Sequence, residues 1–257
     1  MKKHYPNFTY LCMLASRAGE VIKTNFSLKM KKEWKADGTP LTVTDKTVDD
    51  LVVESIRKDF PHIQIASEEG EQLFDPKSEY VLICDPVDGT IPFSHGIPIS
   101  TFCISVLKNL EPIESIIHDP FLDRMWHATR GKGSFLENTK VAVSEKKDLK
   151  GTLVAAHFYP SHFPKTHKIL EDFGAHWVQC ASAAYFGGLI ASGEVVASIT
   201  SAKQIWETPA MQLIVEEAGG KATDPRGDKL DYSKGKINGH VISNGFLHEI
   251  LLDILKP

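Results

Sequence analysis

Two aspartates that follow directly after an apolar stretch are the residues of this chain whose types and spacing best suit chemistry. Residues 80–84 read Tyr-Val-Leu-Ile-Cys, which predicts a buried strand, and Asp85-Pro86-Val87-Asp88-Gly89-Thr90 follows at once. Open α/β sheets bind ligands outside the carboxyl ends of their strands. Because the proline restricts the backbone between the acids and the glycine allows close approach, Asp85 and Asp88 can converge on one cation.

A helix that begins after Gly89 would direct its free amides, and the hydroxyl of Thr90, to the same point. A site that attracts both a metal ion and a phosphate group suggests phosphoryl transfer or phosphate hydrolysis. The alternative is that Asp-Pro-x-Asp-Gly is only a well-formed turn, since these are the commonest turn residues. The segment by itself leaves both interpretations open.

Further acids are predicted at the ends of strands or the starts of helices. Glu68 follows a short predicted strand, Glu207 precedes a predicted helix, and Thr44 or Asp45 is predicted to cap another helix. Capping and turn formation alone would explain each acid separately. Glu68, Glu207 and the two aspartates could also form one all-oxygen site, which favours Mg²⁺ or Mn²⁺ over zinc.

Composition limits the class of protein. The 257-residue chain is 42% hydrophobic, which suits one large domain or two closely packed domains. Its net charge is −4 with both signs dispersed, so neither a nucleic acid nor a membrane is expected as a partner.

Charges interrupt the segment after Met1, which predicts a cytoplasmic protein without a signal peptide or membrane span. The cysteines are far apart, so neither zinc nor disulfides are expected: Cys12, Cys84, Cys103 and Cys180.

Apolar periodicity predicts the elements that position these residues. An amphipathic helix is expected over residues 7–30, then a loop or short ribbon over 31–40 whose lysines most simply form a solvent-exposed face. Later strands are predicted near 101–107, 114–118 and 124–129, with an edge strand at 141–144. From residue 153 onwards the pattern alternates, with strands near 153–156, 177, 195–199, 221–223 and 241–243 and helices near 164–173, 181–192, 206–219 and 246–255.

Several segments, in their order along the chain, resemble the motifs of the inositol monophosphatase family. The match covers roughly residues 35 to 250, and its most specific part is the hexapeptide Asp85 to Thr90. The segments are Asp37 with Leu41-Thr42-Val43-Thr44-Asp45, Glu68-Glu69, Asp85-Pro86-Val87-Asp88-Gly89-Thr90, Ala181-Ser182-Ala183-Ala184, and Trp206-Glu207 before Glu217-Ala218-Gly219-Gly220.

The resemblance implies an α+β fold with αβαβα layers, forming a single unit over residues 1–257 and usually a homodimer. Residues 1–150 would form an N-terminal α+β subdomain with most of the metal ligands, and residues 151–257 a C-terminal α/β subdomain. The implied activity is Mg²⁺-dependent hydrolysis of a small phosphorylated metabolite, a phosphate monoester of the inositol monophosphate type. Inhibition by lithium is implied as well.

The resemblance also implies a set of metal ligands. Glu68, Asp85 and the backbone carbonyl of Val87 would hold a first Mg²⁺, for which Mn²⁺ could substitute. Asp85, Asp88 and Glu207 would hold a second.

Catalytic and substrate-binding roles follow from the same resemblance. Asp45 and Thr90 would orient the attacking water, and Glu68 is the third implied catalytic residue. Glu68 would also reach a weaker third ion, with Asp45 nearby through water. The implied substrate-binding residues are Asp88, Gly89, Thr90, Ala183 and Thr200.

Two departures from the family pattern concern the second metal and the substrate. Glu207 follows Trp206 where the family usually has aspartate, and its extra methylene extends the carboxylate by about 1.5 Å, which predicts an altered second site. Members that act on inositol phosphates often carry a glutamate where this chain has Thr200, so the inositol preference is open. The alternatives are histidinol phosphate, fructose 1,6-bisphosphate or 3′-phosphoadenosine 5′-phosphate as substrate, or a regulatory protein that binds a partner.

A histidine-rich segment from His157 through His162 to His167 also contains aromatic residues. Its five-residue spacing does not stack the histidines on one helix face. We interpret it as a variable surface segment, with a lip that faces the substrate as the alternative.

Overall fold

The computed structural model of the protein describes residues 5–35, 38, 40–70, 74–157, 166–179 and 181–256. Its helices are α1 (Phe8–Asn25), α2 (Val43–Asp59), α3 (Thr90–Ser94), α4 (Thr166–Asp172), α5 (Ala183–Ala191), α6 (Thr208–Glu217) and α7 (His248–Leu255). Its strands are β1 (Lys32–Trp34), β2 (Pro40–Thr42), β3 (Gln64–Ser67), β4 (Tyr80–Asp88), β5 (Thr101–Lys108), β6 (Glu111–Asp119), β7 (Arg124–Thr129), β8 (Gly133–Leu136), β9 (Thr139–Lys140), β10 (Leu153–His157), β11 (His176–Gln179), β12 (Ala197–Thr200), β13 (Lys221–Thr223) and β14 (His240–Ser243). In these ranges no helix combines the length and the apolar character that crossing a bilayer requires.

The strands form two large sheets and one small ribbon. The larger sheet has seven strands in the order β3-β4-β5-β6-β7-β8-β9, with β3 parallel to β4 and the others in an antiparallel meander. The second sheet has five strands in the order β11-β10-β12-β14-β13; β10 is parallel to both of its neighbours, whereas β14 runs antiparallel. Strands β1 and β2 pair as an antiparallel ribbon that leads directly into α2.

Helices cover both sheets, so the molecule has αβαβα layers as predicted. Helices α1 and α2 pack on one face of the seven-stranded sheet, and α5 and α6 lie between the two sheets. Helices α4 and α7 cover the outer face of the five-stranded sheet. Successive side chains of β4 point to opposite faces of the seven-stranded sheet, and both faces are covered. Leu82 and Cys84 pack in the cluster that contains α1 and α2, whereas Val81 and Ile83 pack in the cluster that contains α5 and α6.

The first helix and the edge strand differ from the sequence prediction. Helix α1 ends at Asn25, well before residue 30, because extended Phe26 turns its ring onto Phe93 and Phe121. Residues 141–144 were expected as an edge strand, which is wrong. There the chain leaves the sheet, since the amide of Val143 donates to the carbonyl of Ala218 at the end of α6.

The start of α2 also differs from the prediction. Thr42, and neither Thr44 nor Asp45, is the N-cap of α2. Asp45 is the third helical residue and completes a capping box, in which its carboxylate accepts from the amide of Thr42 at 2.8 Å. This arrangement holds the Asp45 side chain at the edge of the site described next.

Candidate active site

Strand β4 carries the two central aspartates into the site through an irregularity in its pairing. The strand continues to Asp88, beyond the predicted end at residue 84, and its regular pairing with β5 shifts between Asp85 and Asp88. Asp85 pairs with Cys103 and Asp88 with Thr101, so β4 has one residue more than β5 in this interval, as in a β-bulge. The bulge allows two acids three positions apart to reach one pocket.

Gly89 makes the turn from β4 into α3. Its φ is 90°, and a Cβ at this position would lie 3.0 Å from both the carbonyl oxygen of Ala181 and the Cβ of Ser182. Only glycine meets both demands without strain. The predicted helix after Gly89 is confirmed as α3, which begins at Thr90.

A cavity of about 190 Å³ opens at this edge of the sheet, and four acids contribute to its wall. Glu68 follows β3, Asp85 and Asp88 lie on β4, and Glu207 immediately precedes α6. The structure therefore brings together the four carboxylates that the sequence singled out. The remaining wall residues are Pro40, Gly89, Thr90, Ile91, Ala181, Ala202, Gln204 and Trp206.

Asp88 is fixed by donors from β5 and from the start of α5. Its Oδ2 accepts from the hydroxyl of Ser182 at 2.5 Å, the amide of Ala184 at 2.8 Å and the hydroxyl of Thr101 at 3.2 Å. Its Oδ1 accepts from the amide of Ala183 at 3.2 Å. Burial raises the pKa of Asp88, although these hydrogen bonds favour the charged form. Oδ1 keeps most of its acceptor capacity for the pocket.

Asp45 joins the helix cap to the pocket. While its Oδ2 is bound to Thr42, its Oδ1 lies 3.1 Å from the hydroxyl oxygen of Thr90. That hydroxyl is also 3.1 Å from the carbonyl oxygen of Val87, so it can donate to either oxygen. Burial raises the pKa of Asp45. The predicted catalytic pair, Asp45 and Thr90, is therefore in direct contact.

Lys35 supplies a positive charge at the edge of the pocket. Its Nζ donates to Oε1 of Glu68 at 2.9 Å and also to Oε1 of Glu69. The prediction that the lysines of residues 31–40 form a solvent-exposed face is wrong for Lys35, whose side chain is only 20% exposed. The two carboxylates explain the difference, because they hold the ammonium against the protein.

Glu207 is the N-cap residue of α6, yet its side chain makes no capping hydrogen bond. The carboxylate instead contributes to the pocket wall. Burial, followed by the charge of Asp88, raises the pKa of Glu207 to about 8. The interpretation of Glu207 as a simple helix cap therefore does not describe its side chain.

The pocket acids lie close to one another, three of them buried and Glu68 half-buried, so their negative charges repel one another. Burial raises the pKa of Asp85 well above its usual range, and the charges of Glu68 and Asp88 raise it further. Buried carboxylates of this kind require protons or cations. Within the described ranges, no three acidic, histidine or cysteine side chains already form a closed metal-ligand group. The pocket is thus an open set of oxygen donors.

Comparison with known proteins identifies the family. The sequence model of the inositol monophosphatase family matches residues 6–256. The chain belongs to that family. A fructose-1,6-bisphosphatase/inositol-1-monophosphatase of Thermotoga maritima is 30% identical over 216 residues, which cover 84% of this chain and 82% of the relative. A Nus factor SuhB of Salmonella typhimurium is 28% identical over 241 residues, covering 91% and 90%.

Structural comparison agrees with this family. The solved structure of an IMPase from Thermotoga maritima has a TM-score of 0.88 and 27% identity, covering 96% of this chain and 95% of that one. The chain is therefore a phosphatase, a hydrolase of phosphoric monoesters, in a family that is generally metal-dependent.

Two residues to which the inositol monophosphatase resemblance gave substrate contacts have other contacts in this structure. The amide of Ala183 donates to Asp88, and the hydroxyl oxygen of Thr200 accepts from the amide of Ala202 at 3.0 Å. Ala181 and Ala202 contribute to the pocket wall beside them. Substrate binding by Ala183 and Thr200 stays a prediction.

Sequence reasoning gave no role in the site to Lys35 or to Thr101. Lys35 is 33 positions from Glu68, and Thr101 is 13 positions from Asp88. A lysine in a polar turn and a threonine at the start of a strand give no local signal of such contacts. Of the other residues discussed above, Asp37, His162 and Cys180 lie outside the described residues, and His157 ends β10.

Proposed function

We propose that the protein hydrolyses a small phosphate monoester of the inositol monophosphate type, with Mg²⁺ as its cofactor and Mn²⁺ able to substitute. The observation that carries this proposal is the convergence of three buried carboxylates and the half-buried Glu68 on one pocket beside the Asp45–Thr90 contact. Turns and helix caps need one acid each, and they do not require a shared cavity.

The donor chemistry of the pocket fits a hard divalent cation. Carboxylate and carbonyl oxygens without cysteine or histidine favour Mg²⁺ or Mn²⁺. We assign Glu68, Asp85 and the carbonyl of Val87 to a first ion, and Asp85, Asp88 and Glu207 to a second. When bound, a pair of such ions makes water a better nucleophile and neutralises charge on the phosphate and the leaving alkoxide.

The residues of the chain would orient the attacking water. Thr90 can donate its proton to Asp45 Oδ1, which leaves its hydroxyl oxygen as an acceptor facing the pocket. Glu68 lies in the same wall and would act as a further acceptor. Positioned proton acceptors of this kind typically contribute about 10²–10⁴-fold to a rate.

The rest of the wall would receive the phosphate and its leaving group. We assign the phosphate oxygens to the backbone amides of Gly89 and Thr90, since both residues line the pocket. Apolar side chains and one amide complete the wall: Pro40, Ile91, Ala181, Ala202, Gln204 and Trp206.

Other members of the superfamily supply the alternatives for the substrate. Histidinol phosphate, fructose 1,6-bisphosphate and 3′-phosphoadenosine 5′-phosphate have the same reacting group. The Thermotoga maritima relative is named for both fructose 1,6-bisphosphate and inositol 1-phosphate, which favours testing both. Phosphate release from these four compounds, with and without Mg²⁺, identifies the preferred substrate; no release from any would contradict the proposal.

A regulatory role is the second candidate, and the relatives named Nus factor SuhB favour it. The chain would then bind a partner through its surface, with or without catalysis. Because binding alone needs no pair of residues that orients water, the Asp45–Thr90 contact favours hydrolysis as the first candidate. An Asp85→Asn variant that loses hydrolysis and keeps every cellular role of the protein would favour regulation.

We also propose a homodimer in the cytoplasm, with the chain divided near residue 150 into two subdomains that correspond to its two sheets. Sedimentation at several protein concentrations tests the dimer.

Inhibition by lithium belongs to the same proposal and is measured as a loss of phosphate release in LiCl.

A further inference from the structure

The ammonium of Lys35 lies at the edge of the pocket, where a metal cation bound to Glu68 would also lie. It lies 2.9 Å from Oε1 of Glu68 and in contact with Oε1 of Glu69. The side chain of Lys35 is only 20% exposed, because the two carboxylates hold its ammonium against the protein. Lys35 is therefore bound to a residue that also belongs to the proposed metal site.

The surrounding charge explains why a cation is held there. Glu68 shares the pocket with Asp85, and the side chain of neighbouring Glu69 is only 6% exposed. Buried anions are stabilised by any cation that reaches them, whether an ammonium or a metal ion.

Lys35 is brought to this position by the β1–β2 ribbon, which is attached to α3. The Nζ of Lys32 lies 3.1 Å from Nε2 of His95 and 3.5 Å from the hydroxyl of Ser94. Because Nδ1 of His95 lies 2.9 Å from the carbonyl of Ile91, which can only accept, Nε2 is the acceptor for Lys32. The ribbon is thus held on the helix that begins with Thr90.

We propose that the Lys35 ammonium is a built-in cation that occupies Glu68 and Glu69 until a divalent ion replaces it there, and so sets the metal concentration that the site requires. The inference rests on the proposed function, because it assumes that Glu68 binds a divalent ion. An ammonium and a metal ion would compete for the Glu68 carboxylate, and their charges repel each other at short range. Removal of the ammonium should therefore strengthen metal binding.

Titration of the chelator-treated full chain with Mn²⁺, followed by calorimetry, tests the proposal without an activity assay. Lys35→Met removes the charge and keeps a side chain of similar length. We expect this variant to bind Mn²⁺ about tenfold more tightly than the wild type, as expected for the loss of one nearby charge. Lys35→Arg keeps the charge and should retain the wild-type affinity.

Lys31→Met is the matched control. Lys31 lies four positions earlier, is exposed, and lines a different cavity beside Lys32 and Lys46, so the variant makes the same change in net charge away from the acids. It should bind Mn²⁺ as the wild type does. Equal tightening in Lys31→Met and Lys35→Met would show a general charge effect and overturn the proposal.

The remaining outcomes separate this proposal from the proposed function. If the wild type and Lys35→Met bind Mn²⁺ equally well, or the variant binds more weakly, Lys35 does not compete with the ion and only this proposal fails. If neither protein binds Mn²⁺ while both remain folded by circular dichroism, the metal site itself is wrong and both proposals fail.

Discussion

Asp45 and Asp88 each use one carboxylate oxygen to stabilise the fold and keep the other for the pocket. Oδ2 of Asp45 completes the cap of α2 while Oδ1 contacts Thr90, and Oδ2 of Asp88 is bound to Ser182 while Oδ1 remains more open. The sequence predicted the acids because their types and order are local information. It did not predict Lys35 or Thr42 as their partners, since those contacts depend on how the chain folds.

Thr90→Val keeps the shape of the side chain and removes the hydroxyl that contacts Asp45. We expect kcat to fall by about 10²–10⁴-fold with little change in KM, because the water loses its orienting group. Steady-state kinetics with the best substrate of the panel measure both constants. Thr90→Ser, which retains the hydroxyl, should recover most of the rate; a Thr90→Val enzyme as fast as Thr90→Ser would refute the role.

Glu207→Ala removes a carboxylate from the pocket wall without removing a capping bond. We expect the Mg²⁺ concentration for half-maximal hydrolysis to rise at least ~10-fold, since loss of a ligand weakens metal binding. Glu207→Asp should retain part of the affinity. Glu249→Ala, an exposed acid paired with Lys221, provides the charge-matched control. Unchanged Mg²⁺ dependence in Glu207→Ala would remove this residue from the metal site.

At the scale of elements, the site depends on one bulged strand, one tight turn and one short helix. The strands near 101–107, 114–118 and 124–129 and the turn at Gly89 were predictable because apolar alternation and turn residues are local signals. The bulge was not, because it is a property of the pairing between β4 and β5. For the same reason the segment 141–144 looked like a strand, although it is bound to the end of α6.

Gly89→Ala tests the turn between β4 and α3. We expect both Gly89→Ala and Gly131→Ala to lose roughly 1–2 kcal/mol of stability, because each glycine has a left-handed φ. Only at Gly89 does the new Cβ crowd Ala181, whereas nothing lies within 4 Å of it at Gly131. Gly89→Ala alone should therefore also lower kcat, by about 10²-fold if the crowding displaces the pocket residues by near 1 Å. Equal activity in the two variants would argue against this account of the turn.

Two buried histidines lie near the five-stranded sheet: His240 begins β14, and His248 begins α7. His240 contacts Ser198 and Thr208 at 3.3 Å, and burial lowers its pKa to about 3. His248 contacts the hydroxyls of Thr223 and Ser243, and burial lowers its pKa to about 4. Both rings are therefore neutral in the folded protein at ordinary pH.

These depressed pKa values predict how stability depends on pH. The unfolded chain binds protons to both histidines below about pH 6.5, whereas the folded chain does not. The free energy of unfolding is therefore highest above that pH. Below it, each histidine lowers the free energy of unfolding by about 1.4 kcal/mol per pH unit, until the pH reaches the pKa of that histidine in the folded protein. Urea unfolding of the wild type, His248→Gln and the exposed-residue control His62→Gln measures this slope. Equal slopes in all three proteins would contradict the prediction.

At the scale of the whole molecule, the two sheets share one core with the helices between them. The cluster that contains α5 and α6 draws residues from both halves of the chain, for example Ile83 and Trp126 from the first and Ile242 from the second. The αβαβα layers were predicted by the family resemblance, whereas the sequence pattern from residue 153 predicted only that strands and helices alternate there. No local pattern revealed the mixed strand order of the second sheet, because it arises from long-range pairing.

The most direct test of the account is phosphate release by the wild type and by Asp85→Asn as a function of Mg²⁺ concentration. Asp85 is assigned to both ions, so the neutral variant should lose Mg²⁺-dependent hydrolysis of every substrate while remaining folded. The wild type should require Mg²⁺ and lose activity in a chelator. Activity of the wild type without divalent ions, or full activity of Asp85→Asn, would contradict the central claim that these carboxylates form the metal site of a phosphatase.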